Sequence, residues 1–525
     1  MVLGLFALAI ITTLTSFFIR INLEYYIAIL FINGVTTLLY LTPIKLWFKE
    51  AFLTFKELKV HHKFLFLCIA IITLAKSATK PYLVDNETYY IQTIKWINEY
   101  GFVKGLANTH MFLAQNSAWH ILQAAFNFSF ISDNLNDLNG FLFTILSLLY
   151  IEKLNSNTSR LGIASFNLGL MLLFSLFLQQ FVNSPSPDLI IYLIAPYLFY
   201  RFTIAYDSLE KDDFKIILGL SIFLCFVKVS IAIILVLSLV LLVKHWTFLK
   251  AETALYIGLS SFVVLLFICK NIILSGYPIY PIPQFGMEHL DWKVPNTIMD
   301  FFKIDSYLER LMPNTNDHFS FFDRFKFWLL LPKLDGVFNK TYILLLLIFP
   351  FFISKQKNKK QLLIIYFLAI LQFFILWLSS PQYRFYFVFV AFLGIQIFSF
   401  IIKSKTIKNY AVFLAVVCSA IPIFIPFELK TFTDNTLANN ISVFSIRNII
   451  IPEKNTKTMT TFTEYNIDGF MFYSPEENVF FWTTGNGNLP CVNKKQIDYF
   501  NTYYNYIPEW RSENLKDGFR SKRTN

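Results

Sequence analysis

The sequence predicts an all-α polytopic membrane protein of about 11–13 transmembrane helices, with two long outer loops and a small C-terminal extracytoplasmic α/β domain. Three observations carry that expectation. The 525 residues are 55% hydrophobic and only 15% charged, with a mean hydropathy of +0.52, which excludes an ordinary soluble protein. The apolar residues come in runs approaching the roughly 20 needed to cross a hydrocarbon core of about 30 Å, where every backbone N–H must be paired within its own segment. Most basic residues sit in short segments between those runs, so the net charge of +11 reads as a record of membrane orientation rather than of nucleic-acid binding.

In chain order the runs fall at 1–19, 25–41, 64–75, 141–151, 161–182, 189–202, 214–227, 229–243, 254–274, 342–353, 362–378, 386–402 and 411–427. The first has no preceding positive charge and no small-residue cleavage site after it, and is read as a retained helix. Placing the connections alternately on two sides puts the basic ones on one side: Lys45, Lys49, Lys56, Lys59 and Lys63, then Lys153 and Arg160, Lys211, Lys244 and Lys250, Lys355 to Lys360, and Lys403, Lys405 and Lys408. That side is expected to be cytoplasmic, giving an N-terminus inside and a C-terminus outside. The other side receives outer loops at 79–139 and 275–340 and the tail. The expected domains are therefore a transmembrane unit at 1–427 and an extracytoplasmic unit at 428–525. Cys68, Cys225, Cys269 and Cys418 lie inside apolar runs and Cys491 in the tail, a pattern that offers no disulfide framework and no CxxC metal site.

The first outer loop is the densest polar stretch. It reads Asp85-Asn86-Glu87-Thr88-Tyr89-Tyr90, later Asn108-Thr109-His110 and Asn116-Ser117-Ala118-Trp119-His120. An amphipathic pattern from Glu87 to Tyr100 predicts a helix with Asn86 as its N-cap, leaving Asp85 at the positive helix end where a phosphate also binds. An acidic residue directly after a span on the outer face, followed by an interfacial helix, resembles the GT-C class of membrane glycosyltransferases. The resemblance extends to Ser275-Gly276-Tyr277-Pro278-Ile279-Tyr280-Pro281, to Ser380-Pro381-Gln382-Tyr383-Arg384-Phe385, and to the tail stretch Gly469 to Pro475 with Trp482 and Gly487 to Cys491. Over most of its length the chain is also similar to an uncharacterised family of multi-spanning bacterial membrane proteins linked to surface polysaccharide.

The resemblance implies transfer of a sugar from a polyprenyl-phosphate donor to a surface-glycan or lipid-linked acceptor, with an acidic residue of the first outer loop as base or metal ligand. The acidic pair here is Asp-Asn-Glu rather than adjacent carboxylates. No cofactor is therefore expected, with a divalent metal left open. The chemistry needs a base for an acceptor hydroxyl and cations for a departing phosphate. Asp85 is the candidate base, and Glu87 its helper, holding the acceptor or raising the pKa of Asp85 by like-charge proximity. Arg384 is the first candidate for phosphate because a guanidinium binds it bidentately, and Tyr383 beside it is a further candidate for binding substrate or phosphate. Lys228 is the second, an ionisable residue between two apolar runs. His110 and His120 are candidates for sugar hydroxyls or for titration near neutrality, Trp119 for stacking, and Asn116 for binding substrate or phosphate. The tail aromatics and the 277–281 turn read as core and helix stop.

The absence of a Walker loop, a Rossmann glycine fingerprint and HExxH argues against an ATP-driven pump, a nucleotide-cofactor enzyme and a zinc protease. The competing expectations are a polysaccharide polymerase or ligase working through Arg310 and Arg324, and a transporter or flippase for lipid-linked oligosaccharide. No nucleic-acid partner is expected.

Overall fold

Leu-, Ile- and Phe-rich runs that must satisfy their own backbone become helices. The structure, a computed structural model, describes residues 1–132, 138–155, 160–308, 320–425, 431–433, 435–438, 444–476 and 479–524. Helices α1 (Val2–Ser16), α2 (Leu23–Leu39), α3 (Leu41–Glu57) and α4 (Val60–Ser77) lead into the first long loop, which carries a π-helical turn (Asn86–Tyr90), α5 (Ile91–Tyr100) and α6 (Ala118–Phe126). The bundle continues through α7 (Leu138–Leu154), α8 (Arg160–Gly169), α9 (Ser175–Leu178), α10 (Pro187–Ala205), α11 (Lys211–Val227), α12 (Leu235–Lys244), α13 (Trp246–Leu249) and α14 (Thr253–Ser275). A second long loop holds α15 (Asn296–Leu308) and α16 (Phe321–Leu329). After it come α17 (Lys333–Ile353), α18 (Lys359–Trp377), α19 (Tyr383–Ile401), α20 (Lys405–Cys418) and the short α21 (Ile421–Phe424). The tail is a small β region with one helix: an antiparallel pair β1 (Phe462–Ile467) and β2 (Phe470–Pro475), α22 (Lys494–Tyr504), and a second antiparallel pair β3 (Tyr506–Trp510) and β4 (Phe519–Arg523).

Among the described residues eight helices are long and apolar enough to cross a membrane, or nine if the bent pair α2–α3 counts as one span, with two shorter apolar helices at Val2–Ser16 and Val229–Lys244. This is compatible with a multi-pass membrane protein and is fewer than the expected crossings. The runs at 141–151 and 214–227 lie on α7 and α11, each 17 residues long with charges at one end: Glu152 and Lys153, and Lys211, Asp212, Asp213 and Lys215. The basic stretch after 41 is not a loop. It forms α3, set at 86° to α2. The expected boundary at 427/428 and Arg310 lie outside the described residues.

In lipid, helices associate through close packing and interhelical hydrogen bonds rather than water exclusion. The bundle core follows that rule: Tyr342 stacks on Tyr386 at 4.4 Å and donates to the Ala369 carbonyl at 2.6 Å. Asn139 on α7 is a hub. Its amide donates to the carbonyls of Phe181, Ser184 and Ser186 at 2.9, 2.7 and 3.0 Å, while its Oδ1 accepts from Trp119 and Gln123 at 2.7 and 3.1 Å. This network fixes the start of α10 against α6. A second core, built as in a soluble protein, joins the first long loop to the tail through Trp96, Phe102, Leu106, Met111, Tyr277, Phe470, Phe472, Trp482 and Phe519. Each large side chain buried there contributes about 1.5–3 kcal/mol. Gly105 permits the contact: it adopts φ +62°, and a Cβ there would lie 2.1 Å from the Phe519 carbonyl oxygen.

Candidate functional site

Four segments converge at the end of the bundle that carries the long loops. Ser186 caps α10 and Pro187 starts it, which puts Asp188 in the first turn, where the helix terminus stabilises a carboxylate. α11 stops at Val227 because Lys228 is extended, with φ −155° and ψ 111°. The Lys228 ammonium then pairs with the Asp188 carboxylate. α19 opens with Arg384 in its first turn, a position the helix dipole makes unfavourable for a cation. The Asp85 carboxylate offsets this by pairing with Nη1, while the Nε of Arg384 donates to Gln382 Oε1 at 2.8 Å. Tyr192, one turn after Asp188, donates to the Arg384 carbonyl at 2.8 Å and ties α10 to α19. Lys228 Nζ and Arg384 Cζ flank one ring, that of Phe385, at 4.2 and 5.1 Å from its centre.

Asp85 is placed by a local irregularity. The expected helix starting at an Asn86 cap does not form that way: Asp85 is already helical, with φ −60° and ψ −28°, and Asn86–Tyr90 is a π-helical turn preceding α5. π-turns recur at functional sites because they redirect side chains. Here residues five apart meet, and the Tyr90 hydroxyl donates to Asp85 Oδ2 at 3.3 Å. The Asn86 amide donates to the Asn455 carbonyl at 3.0 Å instead of capping.

The ion pairs keep some access to water. Arg384 and Asp85 side chains are 30% and 21% exposed, Lys228 19% and Asp188 2%. Burial alone would raise the Asp85 carboxyl. The Arg384 charge and hydrogen bond, then Lys228 and Tyr90, outweigh it and hold Asp85 below the ordinary carboxylate value. This is opposite to the expected upward shift. The reason is that Glu87 faces away: Oε1 accepts from the Asn86 amide at 3.1 Å and the Lys457 backbone at 2.8 Å, and Oε2 accepts from Thr456 Oγ1 at 2.7 Å. Its own carbonyl receives the Thr484 and Gly485 backbone N–H groups at 2.9 and 2.8 Å. Glu87 fastens the tail to the first loop.

The other expected site residues divide. His120 sits in the cluster, its ring 4.6 Å from that of Tyr90, with Nδ1 accepting from the Ser117 backbone and a buried Nε2 that has no hydrogen-bond partner among the described residues. Burial, reinforced by Lys270 and Lys228 against the pull of Asp85, lowers His120 to about 3, so it is neutral at pH 7 and does not titrate there. His110 is lowered to about 4 by burial and belongs to the tail contact, Nε2 lying 3.0 Å from the Trp482 carbonyl. Asn116 presents its carbonyl to the Lys270 ammonium, and its Oδ1 is buried without a partner among the described residues. Trp119 offers no stacking surface: it is fully buried, because the Ser117 cap of α6 turns it into the bundle toward Asn139. Tyr383, half-buried, stacks on Phe338 at 4.9 Å. Arg324 lies on α16, whose Trp328 donates to the Pro381 carbonyl at 2.7 Å just before the Arg384 turn.

Two members of the cluster escape the sequence reading, Asp188 and the buried Lys270. The signal was available for both, since each is an ionisable residue within or beside an apolar run, the same criterion that selects Lys228. Asp85 is paired with Arg384, and Glu87 is bonded to Thr456 and Lys457 of the tail. Among the described residues no group of three or more His, Cys, Asp or Glu side chains could hold an ion.

No curated protein and no solved structure matches this chain. The profile of a family described as a domain of unknown function (DUF8201) matches residues 1–391. That stretch holds Asp85, Asp188, Lys228 and Arg384 and excludes the tail that Glu87 fastens. By a match that covers the whole ion-pair site, the chain belongs to the DUF8201 family.

Proposed function

We propose that this protein is a GT-C-type membrane glycosyltransferase. It moves a sugar from a polyprenyl-phosphate donor to a surface-glycan or lipid-linked acceptor on the outer face of the inner membrane, with its N-terminus cytoplasmic and its C-terminus extracytoplasmic. The observation that carries this reading is the meeting of Asp85 with Arg384, beside the Lys228–Asp188 pair, at the loop end of an apolar bundle. A carboxylate and two cations brought together are the groups that the transfer of a sugar from a lipid phosphate requires.

In the reaction, the acceptor hydroxyl oxygen bonds to the anomeric carbon as the bond from that carbon to the phosphate oxygen breaks. The hydroxyl proton passes to the Asp85 carboxylate. The electron pair leaves with the polyprenyl phosphate, whose charge Arg384 and Lys228 hold. Before donor binds, Arg384 keeps Asp85 ionised and therefore able to accept a proton. A donor phosphate that takes over Arg384 removes that restraint and raises the proton affinity of Asp85.

Losing a general base costs about 10²–10⁴-fold in rate. Cells carrying Asp85→Asn at normal protein level are expected to show the surface-glycan sugar composition of cells lacking the protein. An unchanged glycan in those cells contradicts the assignment.

A further inference from the structure

α3 touches α2, α4 and α7 and is otherwise largely exposed. It leaves α2 at 86°, so the two helices do not run through a membrane in one direction. Its C-terminal end meets the start of α4, with Phe55 5.8 Å from Phe66 and Lys63 donating to the Lys56 carbonyl at 2.7 Å. This is the end of α4 opposite the ion-pair site. No residue of α3 is fully buried. Ile44, Ala51, Thr54 and Phe55 are half-covered, whereas Trp47, Phe48 and Phe52 stand 51%, 62% and 66% exposed.

The exposed face has an order. Lys45, Phe48, Lys49, Phe52 and Lys56 follow one another at intervals of three, one, three and four, so each lies within a turn of the next along one flank of the helix. Two aromatic rings and three ammonium groups thus share a surface. Exposed apolar side chains continue from it onto α2, through Leu38, Leu39 and Tyr40, which are 77%, 74% and 58% exposed. A groove for a folded partner would break that continuity. A lipid surface extends it.

We propose that α3 is a membrane-surface helix that binds anionic lipid headgroups in the leaflet opposite the long loops. Phe48 and Phe52 enter the acyl boundary, and Lys45, Lys49 and Lys56 meet the headgroup phosphates. Rings at the interface with flanking lysines are the pattern of helices held by both apolar burial and charge. Each lysine near an anionic surface adds roughly five-fold to binding. The inference is independent of any catalytic role.

The test is hydrogen exchange of α3 in the full-length protein, held in nanodiscs of phosphatidylcholine alone or with phosphatidylglycerol. The expected result is at least about ten-fold greater protection of residues 41–57 with phosphatidylglycerol at low salt, a gain lost at high salt. The gain also disappears in a Lys45→Gln, Lys49→Gln, Lys56→Gln variant, while exchange in α10 and α19 stays unchanged. Equal protection in both lipids overturns the charge selectivity. No protection in either overturns lipid as the occupant, and protection that rises with protein concentration points instead to a second copy of the chain. If the variant fails to fold, the salt series on the unaltered protein decides between these outcomes.

Discussion

Arg384 and Asp85 are 299 residues apart in the chain, and their pairing fixes the electrostatics of the site. Removing the guanidinium leaves a half-buried carboxylate without its partner, so Arg384→Gln is expected to destabilise the protein by about 1–3 kcal/mol, the lower end reflecting solvent access. The pH dependence follows from the direction of the shift. A carboxyl held below its ordinary value in the folded state stabilises the fold above about pH 4 and loses that contribution as pH falls through the folded value. Thermal unfolding in detergent below pH 4 is therefore expected to fall more steeply for the unaltered protein than for Arg384→Gln. Glu87 behaves differently. Glu87→Gln weakens hydrogen bonds to Thr456 and Lys457, and the expected result is faster proteolytic cleavage of the tail with the Asp85–Arg384 pair intact. The sequence singles out Asp85, Arg384 and Lys228 because ionisable groups at the ends of apolar runs are costly unless used, and the structure brings the three together. The role of Glu87 was not, because residue spacing does not announce a π-turn, and that turn sends Glu87 and Asp85 in opposite directions.

At the scale of elements, the first long loop carries two buried neutral histidines. In an unfolded chain histidine takes up a proton below about pH 6.5, whereas here His110 and His120 resist until about 4 and about 3. A depressed histidine favours unfolding as pH falls through the unfolded value. Each is expected to cost about 2 kcal/mol of stability between pH 7 and pH 5. Thermal unfolding over that range should show the loss, and His110→Gln with His120→Gln should flatten it. The long helices were readable from their apolar runs alone. α3 was not, since a segment with three lysines among aromatic residues matches a basic loop as well as a surface helix until its angle to α2 is known. The strands of the tail were legible only as a small α/β unit. Their docking on the first loop depends on contacts nearly 400 residues apart, such as Gln92 with Gly487 at 2.9 Å, which no local pattern encodes.

At the scale of the whole molecule, an apolar bundle holds the Asp85–Arg384 and Asp188–Lys228 pairs where its long loops gather, and the tail is strapped over the loop that supplies Asp85. The basic connections lie at the other end, with α3 among them. Such an arrangement suits a substrate whose phosphate sits at the membrane surface and whose chain lies in lipid. The most direct measurement is the binding of undecaprenyl phosphate to the full-length protein in detergent, compared among the unaltered protein, Arg384→Gln and Glu87→Gln. Saturable binding that weakens at least about ten-fold in Arg384→Gln and is unchanged in Glu87→Gln is the predicted result. Equal binding by all three, or none by the unaltered protein, contradicts a lipid-phosphate site at Asp85 and Arg384.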